Sequence, residues 1–131
     1  MKISMLMPVY NCPPDLLEKA IQSVMTQTHM DFEIVIQDGD MARPVTNNVQ
    51  ARRLFEELGS KLTYNLSPDS RDEEKGRSGF YQALNACMTR ATGDVFSFLA
   101  SDDERGEPDV LAVVNERFER HGPSPFLLYG D

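Results

Sequence analysis

The chain contains few of the residues that build disulfide frameworks, metal clusters or nucleic-acid surfaces. It has two cysteines, two histidines and no tryptophan, and 21 Asp and Glu residues outnumber 13 Lys and Arg residues, for a net charge of −8. Two cysteines make neither a disulfide framework nor a metal motif, so we expect Cys12 and Cys87 to be reduced thiols of a cytoplasmic protein. The negative charge argues against nucleic-acid binding, because phosphates are bound by basic surfaces.

Long apolar segments and common nucleotide-loop motifs are also missing. The sequence contains no run of about 18 apolar residues and therefore no predicted transmembrane helix, and its N-terminus lacks a signal-peptide cleavage pattern. No Gly-x-Gly-x-x-Gly or Walker loop follows a predicted strand, which disfavours other doubly wound enzymes such as nucleotidyltransferases. A receiver-like phosphoacceptor is disfavoured because its acid pair would lie near the first strand. A length of 131 residues suits one domain with one modest core.

Strand and helix signals alternate along the chain. Apolar runs predict five strands, and 3.6-residue periodicity predicts four helices between them. The predicted strands are 3–9, 32–37, 62–66, 94–99 and a fifth beginning at 126–129; the predicted helices are 15–27, 45–58, 79–91 and 108–120. The inward side of the second helix is predicted to carry Val49, Leu54, Phe55 and Leu58. This alternation predicts an α/β fold with a mostly parallel, Rossmann-like sheet and helices on both faces.

Two adjacent acids, Asp102 and Asp103, follow the fourth predicted strand. In open α/β sheets, ligands bind outside the carboxyl ends of the strands. Neighbouring carboxylates repel each other unless a cation or water separates them, and hard oxygen ligands suit Mg²⁺ or Mn²⁺ carrying a substrate phosphate. The pair therefore indicates a metal–diphosphate site. A solvated acidic turn is the alternative explanation of the same two residues.

Polar residues also follow the first two predicted strands. Tyr10 and Asn11 come after the first strand, and Asp38 with Gly39 ends the second. Carboxyl ends of neighbouring parallel strands meet in one crevice, so these residues are expected near the acid pair. Asp38 is also a turn former before a glycine. As a base contact, its loss is expected to weaken uridine binding and to leave thermal stability nearly unchanged.

In the order of these motifs, the chain resembles the family 2 glycosyltransferases of the GT-A fold. The resemblance rests on a Pro-Val-Tyr-Asn strand end at residues 8–11, Asp-Phe-Glu at 31–33, and a strand ending in Asp-Gly at 38–39. It continues with Ala-Leu-Asn at 83–85, Ala-Thr-Gly-Asp at 91–94 and the acids at 102–103. The resemblance covers essentially the whole chain. It implies inverting transfer of a sugar from a nucleotide diphosphate sugar, most commonly UDP-linked, with Mg²⁺ or Mn²⁺.

The resemblance also implies roles for individual residues. Asp38 matches the acid that hydrogen-bonds the base, Asp102 the contact to ribose, and Asp102 with Asp103 the metal ligands. The remaining positions implied as donor contacts are Pro8, Tyr10, Asn11, Arg71, Lys75, Arg77 and Asn85. One of the three basic residues is expected to contact the nucleotide, within a polar segment predicted at 67–77. This segment is either a loop that becomes ordered on binding or a solvated loop. The acceptor implied is a glycan or a lipid-linked molecule, met in the cytoplasm or at the inner membrane surface.

The sequence departs from the family pattern mainly in length. The family's acceptor-binding half and catalytic base follow the region represented by residues 1–131, so we expect a truncated chain that binds the donor but does not transfer sugar by itself. No catalytic base is assigned. The second hypothesis is a non-catalytic nucleotide-binding or assembly module with the same fold.

Overall fold

The structure is a computed structural model that describes residues 1–68, 77–99 and 109–121, with only the backbone described for 77–80. Its strands are β1 (Ile3–Val9), β2 (Phe32–Asp38), β3 (Leu62–Leu66) and β4 (Val95–Phe98). Its α-helices are α1 (Pro14–Met25), α2 (Val49–Leu58), α3 (Arg77–Arg90) and α4 (Val110–His121). The predicted fifth strand at 126–129 lies outside the described residues.

The four strands form one sheet in the order β3-β2-β1-β4. Every pairing is parallel; β1 pairs with β2 from Ile3↔Phe32 to Val9↔Asp38, and with β4 from Ile3↔Val95 to Leu6↔Phe98. The carboxyl ends of β1 and β2 are therefore in register at one edge. Strands β1 and β2 are the central pair and are almost completely buried, as expected for strands covered on both faces. The predicted parallel α/β architecture is confirmed.

The two faces of the sheet are covered by different helices. On one face, the main core joins alternate residues of β1, such as Met5 and Met7, with residues of α1, α2 and α4. On the other face, Leu6 and Val35 pack with Cys87 of α3, so Cys87 lies on the inner side of its helix. Burial raises the pKa of the Cys87 thiol to about 11, so this cysteine is an apolar core group rather than a nucleophile.

The helix predicted at 45–58 is interrupted, which corrects that prediction. A short 3-10 turn, Val45–Asn47, comes first, and α2 begins at Val49 after an N-cap at Asn48. The Asn48 side chain accepts a hydrogen bond from the Ala51 N–H at 3.1 Å. An asparagine cap satisfies an orphan donor of the first turn, so α2 begins only at Val49. Val49, predicted to face inward, is 51% exposed.

Both cysteines are free thiols, as predicted; the cytoplasmic location inferred from them stays a prediction. Within the described ranges, no helix combines the length and apolar character needed to cross a lipid bilayer.

Candidate functional site

Backbone hydrogen bonds tie together the carboxyl ends of three strands. The Gly39 N–H donates to the Val9 carbonyl at 3.0 Å, and the Ser67 N–H donates to the Asp38 carbonyl at 3.0 Å. At the end of β4, the Leu99 N–H donates to the Leu6 carbonyl at 3.0 Å. The segments that leave β1, β2 and β3 are thereby held side by side. This is the edge at which open α/β sheets bind ligands.

Strand β1 delivers Tyr10 and Asn11 to this edge. Pro8 and Tyr10 are half-buried, and Asn11 is exposed. Asn11 has a φ of 50°, the one left-handed non-glycine residue in the described part of the chain. Asparagine tolerates this conformation better than most residues, and such outliers concentrate at functional sites. The sharp turn at Asn11 ends the strand and directs the chain into α1.

Asp38, the last residue of β2, is fully buried and holds the connection that follows it. Its Oδ1 accepts from the Asp40 N–H at 3.0 Å, and its Oδ2 accepts from the Val45 N–H at 2.9 Å. The Tyr64 hydroxyl donates to the same Oδ2 at 2.7 Å. Three protein donors on one buried carboxylate make Asp38 important for stability. These contacts argue against the expectation that its loss leaves stability nearly unchanged, and both that expectation and its contact with a base stay predictions.

Tyr64 reaches Asp38 from the neighbouring strand. Its ring packs on Phe55 of α2 with the ring centroids 5.3 Å apart. Its hydroxyl also interacts with the backbone and side chain of Thr46 in the 3-10 turn. Burial and the adjacent Asp38 carboxylate raise the pKa of the Tyr64 phenol well above its ordinary value, so it remains a neutral hydrogen-bond donor. The hydroxyl thus joins β3 to the segments on either side of the 39–45 connection.

Asp40 is a buried acid that the motif analysis did not single out. The residue is 1% exposed, its Oδ1 accepts from the Arg43 N–H at 3.1 Å, and its Oδ2 lacks a hydrogen-bond partner among the described residues. The Nε of Arg43 lies 3.3 Å from that Oδ2, close enough for an ion pair. The Arg43 and Asp40 side chains therefore form an ion pair without a hydrogen bond, because the guanidinium N–H is poorly aligned with Oδ2. The sequence signal that could have identified Asp40 is its position two residues after Asp38.

A cavity of about 320 Å³ lies between the segments that follow β1 and β2. Its lining includes Asn11, Cys12, Arg43, Val45 and Asn48. The cavity is bordered by the chain that Asp38 and Asp40 hold in place. Both polar side chains and short apolar groups line it.

A second polar cluster, also missed by the motif analysis, lies on the opposite face of β2. The Gln37 Nε2 donates to the Ser67 Oγ at 2.6 Å, and the Gln37 Oε1 accepts from Arg90 at 2.6 Å and from Asn65 at 3.2 Å. These contacts tie the end of β2 to β3 and to α3. Gln37 alone gave little signal because its partners are 28 to 53 residues away.

The remaining predicted site residues are not brought together in the described part of the structure. Asn85 is exposed, on the side of α3 away from buried Ala83 and Cys87. Arg77 is the first residue of α3 and not part of a loop, which corrects the predicted helix start at residue 79. Arg71, Lys75, Asp102 and Asp103 lie outside the described residues. Their assignments stay predictions.

The turn at 91–94, part of the resemblance, lies at the opposite end of the sheet. The Thr92 N–H and hydroxyl donate to the two oxygens of Glu33, at 2.6 and 2.8 Å, and the Gly93 N–H donates to the Ser4 Oγ at 2.9 Å. The Ser4 hydroxyl donates to Glu33 at 2.7 Å. This part of the family pattern is therefore a structural feature.

Solved structures with the same fold were found despite low sequence identity. TarS of S. aureus has a TM-score of 0.66 at 22% identity, covering 92% of this chain and 20% of that chain. TarS 1-349 in complex with UDP-GlcNAc has a TM-score of 0.67 at 20% identity, covering 92% and 32%. The mannosyltransferase PcManGT from Pyrobaculum calidifontis, in complex with GDP-Man and Mn²⁺, has a TM-score of 0.64 at 23% identity, covering 84% and 30%. These likenesses confirm the GT-A fold.

Sequence comparison identifies the family. A PGL/p-HBAD biosynthesis glycosyltransferase of Mycobacterium bovis is 32% identical over 129 residues, 98% of this chain and 45% of that protein. An uncharacterized glycosyltransferase of Nostoc sp. is 37% identical over 119 residues, 91% of this chain and 33% of that protein. The chain thus spans less than half the length of these curated relatives. The model of "Glycosyl transferase family 2" matches residues 4–126, and the chain belongs to that family.

Proposed function

We propose that this chain is the donor-binding part of a glycosyltransferase that transfers a sugar from a UDP-linked donor to an acceptor with inversion. The observation that supports it most is that, in a chain of this family, the polar ends of β1 and β2 meet at the carboxyl edge of one parallel sheet. TarS, with the same fold, is known in complex with UDP and UDP-GlcNAc. The acceptor proposed is a glycan or a lipid-linked molecule.

The nucleoside is proposed to lie along the end of β1 and over β2. Pro8 and Tyr10 are half-buried and are proposed to contact the base and the ribose. The left-handed turn at Asn11 is proposed to direct the following chain away from the nucleoside. Asp38 is proposed to accept a base N–H on Oδ1, which has one donor among the described residues, whereas Oδ2 has two. Because the Asp38 side chain is buried, this contact requires the connection at 39–45 to shift.

The diphosphate is proposed to bind through Mg²⁺ or Mn²⁺ held by Asp102 and Asp103. Their carboxylates are the hard oxygen ligands that these ions prefer. Among the described residues, no group of three His, Cys, Asp or Glu side chains is placed to hold a metal ion. When bound, such an ion stabilises the charge that develops on the leaving diphosphate. PcManGT, with the same fold, is known with GDP-Man and Mn²⁺.

A basic contact is also proposed, because a chain of net charge −8 needs a local cation to bind an anionic donor. Arg71, Lys75 and Arg77 are the candidates. Covalent reach supports a shared edge for the acids: Asp102 follows Leu99 by three residues, at most about 11 Å of extended chain. The substrate contact assigned to Asn85 stays a prediction.

Calorimetric titration with UDP tests the proposal. We expect binding in Mn²⁺ or Mg²⁺ and none in EDTA, because the acidic surface repels an uncompensated diphosphate. Asp102→Asn and Asp103→Asn are expected to weaken binding, while the matched control Asp109→Asn, an exposed acid before α4, leaves it unchanged. Equal UDP affinity in EDTA would eliminate the metal-bridging role. No binding under any condition would favour the assembly-module hypothesis.

A further inference from the structure

The cavity between the segments that follow β1 and β2 has a lining rich in hydrogen-bond donors. Its polar lining residues are Asn11, Arg43, Asn47 and Asn48. Among the described residues that line it, none is Asp or Glu, although the chain carries 21 of these acids. An acid-free lining lowers the local repulsion that an acidic protein exerts on an anionic ligand. The volume of about 320 Å³ is that of a small-molecule site.

Asp40 fixes the position of Arg43 in this lining. The Asp40 side chain is buried, and its Oδ2, which has no hydrogen-bond partner in the described ranges, lies 3.3 Å from the Arg43 Nε. A buried carboxylate is costly unless a cation lies beside it, so the pair holds Arg43 at the cavity. The Nε of the guanidinium is turned to Asp40, and its terminal nitrogens form no hydrogen bond with the described part of the chain. Such nitrogens match two oxygens of a phosphate or carboxylate.

Asn48 is fixed as a second donor at the cavity. Its Oδ1 accepts from the Ala51 N–H at 3.1 Å, so the oxygen serves α2 and the Nδ2 group is left for another partner. Asn11, with its left-handed φ of 50°, lines the same cavity. Strained residues and buried polar atoms without partners are uncommon and concentrate at functional sites. Asn11 and, through Arg43, Asp40 bring both features to this cavity, which favours a ligand site over a plain surface hollow.

We propose that this cavity binds an oxyanion, the phosphate or carboxylate group of a small molecule, with Arg43 as its cationic contact and Asn48 as a second donor. The site goes beyond the proposed donor site and does not depend on it, because the acids proposed to hold the metal follow β4, on the other side of β1. Asp40 offsets part of the Arg43 charge, so we expect weak, millimolar binding of phosphate alone. The oxyanion is either a free anion or a charged group of a larger molecule.

The test is titration of the isotope-labelled chain with inorganic phosphate in EDTA at low ionic strength, followed by NMR. EDTA removes any metal that could bridge the anion to acids. We expect saturable shifts of the backbone amides of Arg43, Asn47 and Asn48. Arg43→Gln is expected to weaken phosphate binding about tenfold, the effect of losing a hydrogen bond between charged groups. The matched control Arg53→Gln removes an exposed arginine of α2 outside the cavity lining and is expected to leave the affinity unchanged.

Arg43→Gln also leaves Asp40 without its ion pair, so circular dichroism is needed to verify folding. If that variant does not fold, the double variant Asp40→Asn, Arg43→Gln removes both charges and is expected to lose phosphate binding to the same extent. Absent shifts in the wild-type chain, or equal phosphate affinity in the wild type and the folded Arg43 variant, would overturn the inference.

Addition of UDP with Mg²⁺ distinguishes the sources of the oxyanion. We expect phosphate and UDP to bind together, which identifies a separate anion. Displacement of phosphate by UDP would instead assign the cavity to a charged group of the nucleotide, and the oxyanion would still be its ligand. A chain that binds phosphate as expected but does not bind UDP refutes the proposed function and leaves this inference intact.

Discussion

The two ends of the sheet use buried acids in opposite ways. At the amino end, both oxygens of Glu33 are bonded by Thr92, and Ser4 and Lys2 complete the cluster. At the carboxyl end, the described residues leave one lone-pair position of Asp38 without a donor and give the Oδ2 of Asp40 no hydrogen-bond partner. A buried polar group without a full set of partners costs free energy and requires an explanation.

The difference supports the proposal that the donor binds at the carboxyl end of the sheet. At the amino end, the turn between α3 and β4 packs against the start of β1. Gly93 in this turn lies so close to the Ser4 side chain and the Lys2 carbonyl that an added Cβ atom would clash with both. The carboxyl end adds a left-handed Asn11 and an adjacent cavity. Strain and unmet hydrogen-bond capacity at one end persist because the rest of the fold stabilises them. The variants below should separate stability from binding accordingly.

Gly93→Ala is expected to have the largest effect on stability. A Cβ at this position would lie 2.4 Å from the Ser4 Oγ and 2.8 Å from the Lys2 carbonyl oxygen. Relieving the clash displaces the Ser4 hydroxyl from its bonds, and we expect the free energy of unfolding to fall by about 3 kcal/mol. Urea unfolding followed by circular dichroism measures it.

The matched control for this variant is Gly59→Ala. An added Cβ there meets nothing within 4 Å, and only the positive φ of 54° opposes it. We expect a cost of about 1 kcal/mol. Equal losses in the two alanine variants would show that the Ser4–Gly93 contact is not tight.

Asp38→Asn is expected to lower both stability and UDP affinity. The amide has one carbonyl oxygen and cannot satisfy donors on both sides, so we expect a loss of about 2 kcal/mol in the free energy of unfolding. Urea unfolding and calorimetry on the same preparation measure the two effects. If UDP affinity is unchanged while stability falls, Asp38 belongs with the structural acids of the amino end.

The sequence pattern was sufficient for the four described strands, for the presence of the four α-helices and for the parallel arrangement, because periodicity and apolar runs are local signals. It could not predict that Asp38 bonds Tyr64, 26 residues away, since partner choice at that distance is decided by packing. The same applies to Glu33, whose partner Thr92 is 59 residues away. The Asn48 cap was also a local signal, but the apolar periodicity of residues 45–58 outweighed it in the prediction of the second helix.

Glu33→Gln should remove part of the acid sensitivity of the fold. Burial raises the pKa of Glu33, but hydrogen bonds from Thr92, Ser4 and Lys2 outweigh it and hold the pKa below its ordinary value. A carboxyl with a lowered folded pKa stabilises the fold above its unfolded pKa, and that contribution is lost as pH falls through the folded pKa. We expect the variant to be less stable by about 1–2 kcal/mol at pH 7.

The pH profile provides the internal control. The difference in free energy of unfolding between wild type and Glu33→Gln should shrink as the pH falls below about 4.5, because the wild-type carboxyl becomes neutral as well. UDP affinity at neutral pH should be the same in both proteins, since Glu33 lies at the end of the sheet away from the proposed donor site. A difference in stability that is constant with pH would mean that its charge is not what stabilises the fold.

Asn48→Ala is expected to have the smallest effect, although Asn48 lies on the cavity side of the comparison. Its side chain accepts from the Ala51 N–H, so its loss leaves one donor of the first turn of α2 without that partner. Loss of an asparagine cap costs about 1 kcal/mol. Asn47→Ala, at the exposed neighbour that also lines the cavity, is the matched control and should cost less. Because Asn48 acts on the helix, UDP affinity should stay at its wild-type value. A changed UDP affinity would extend the proposed donor site to the start of α2.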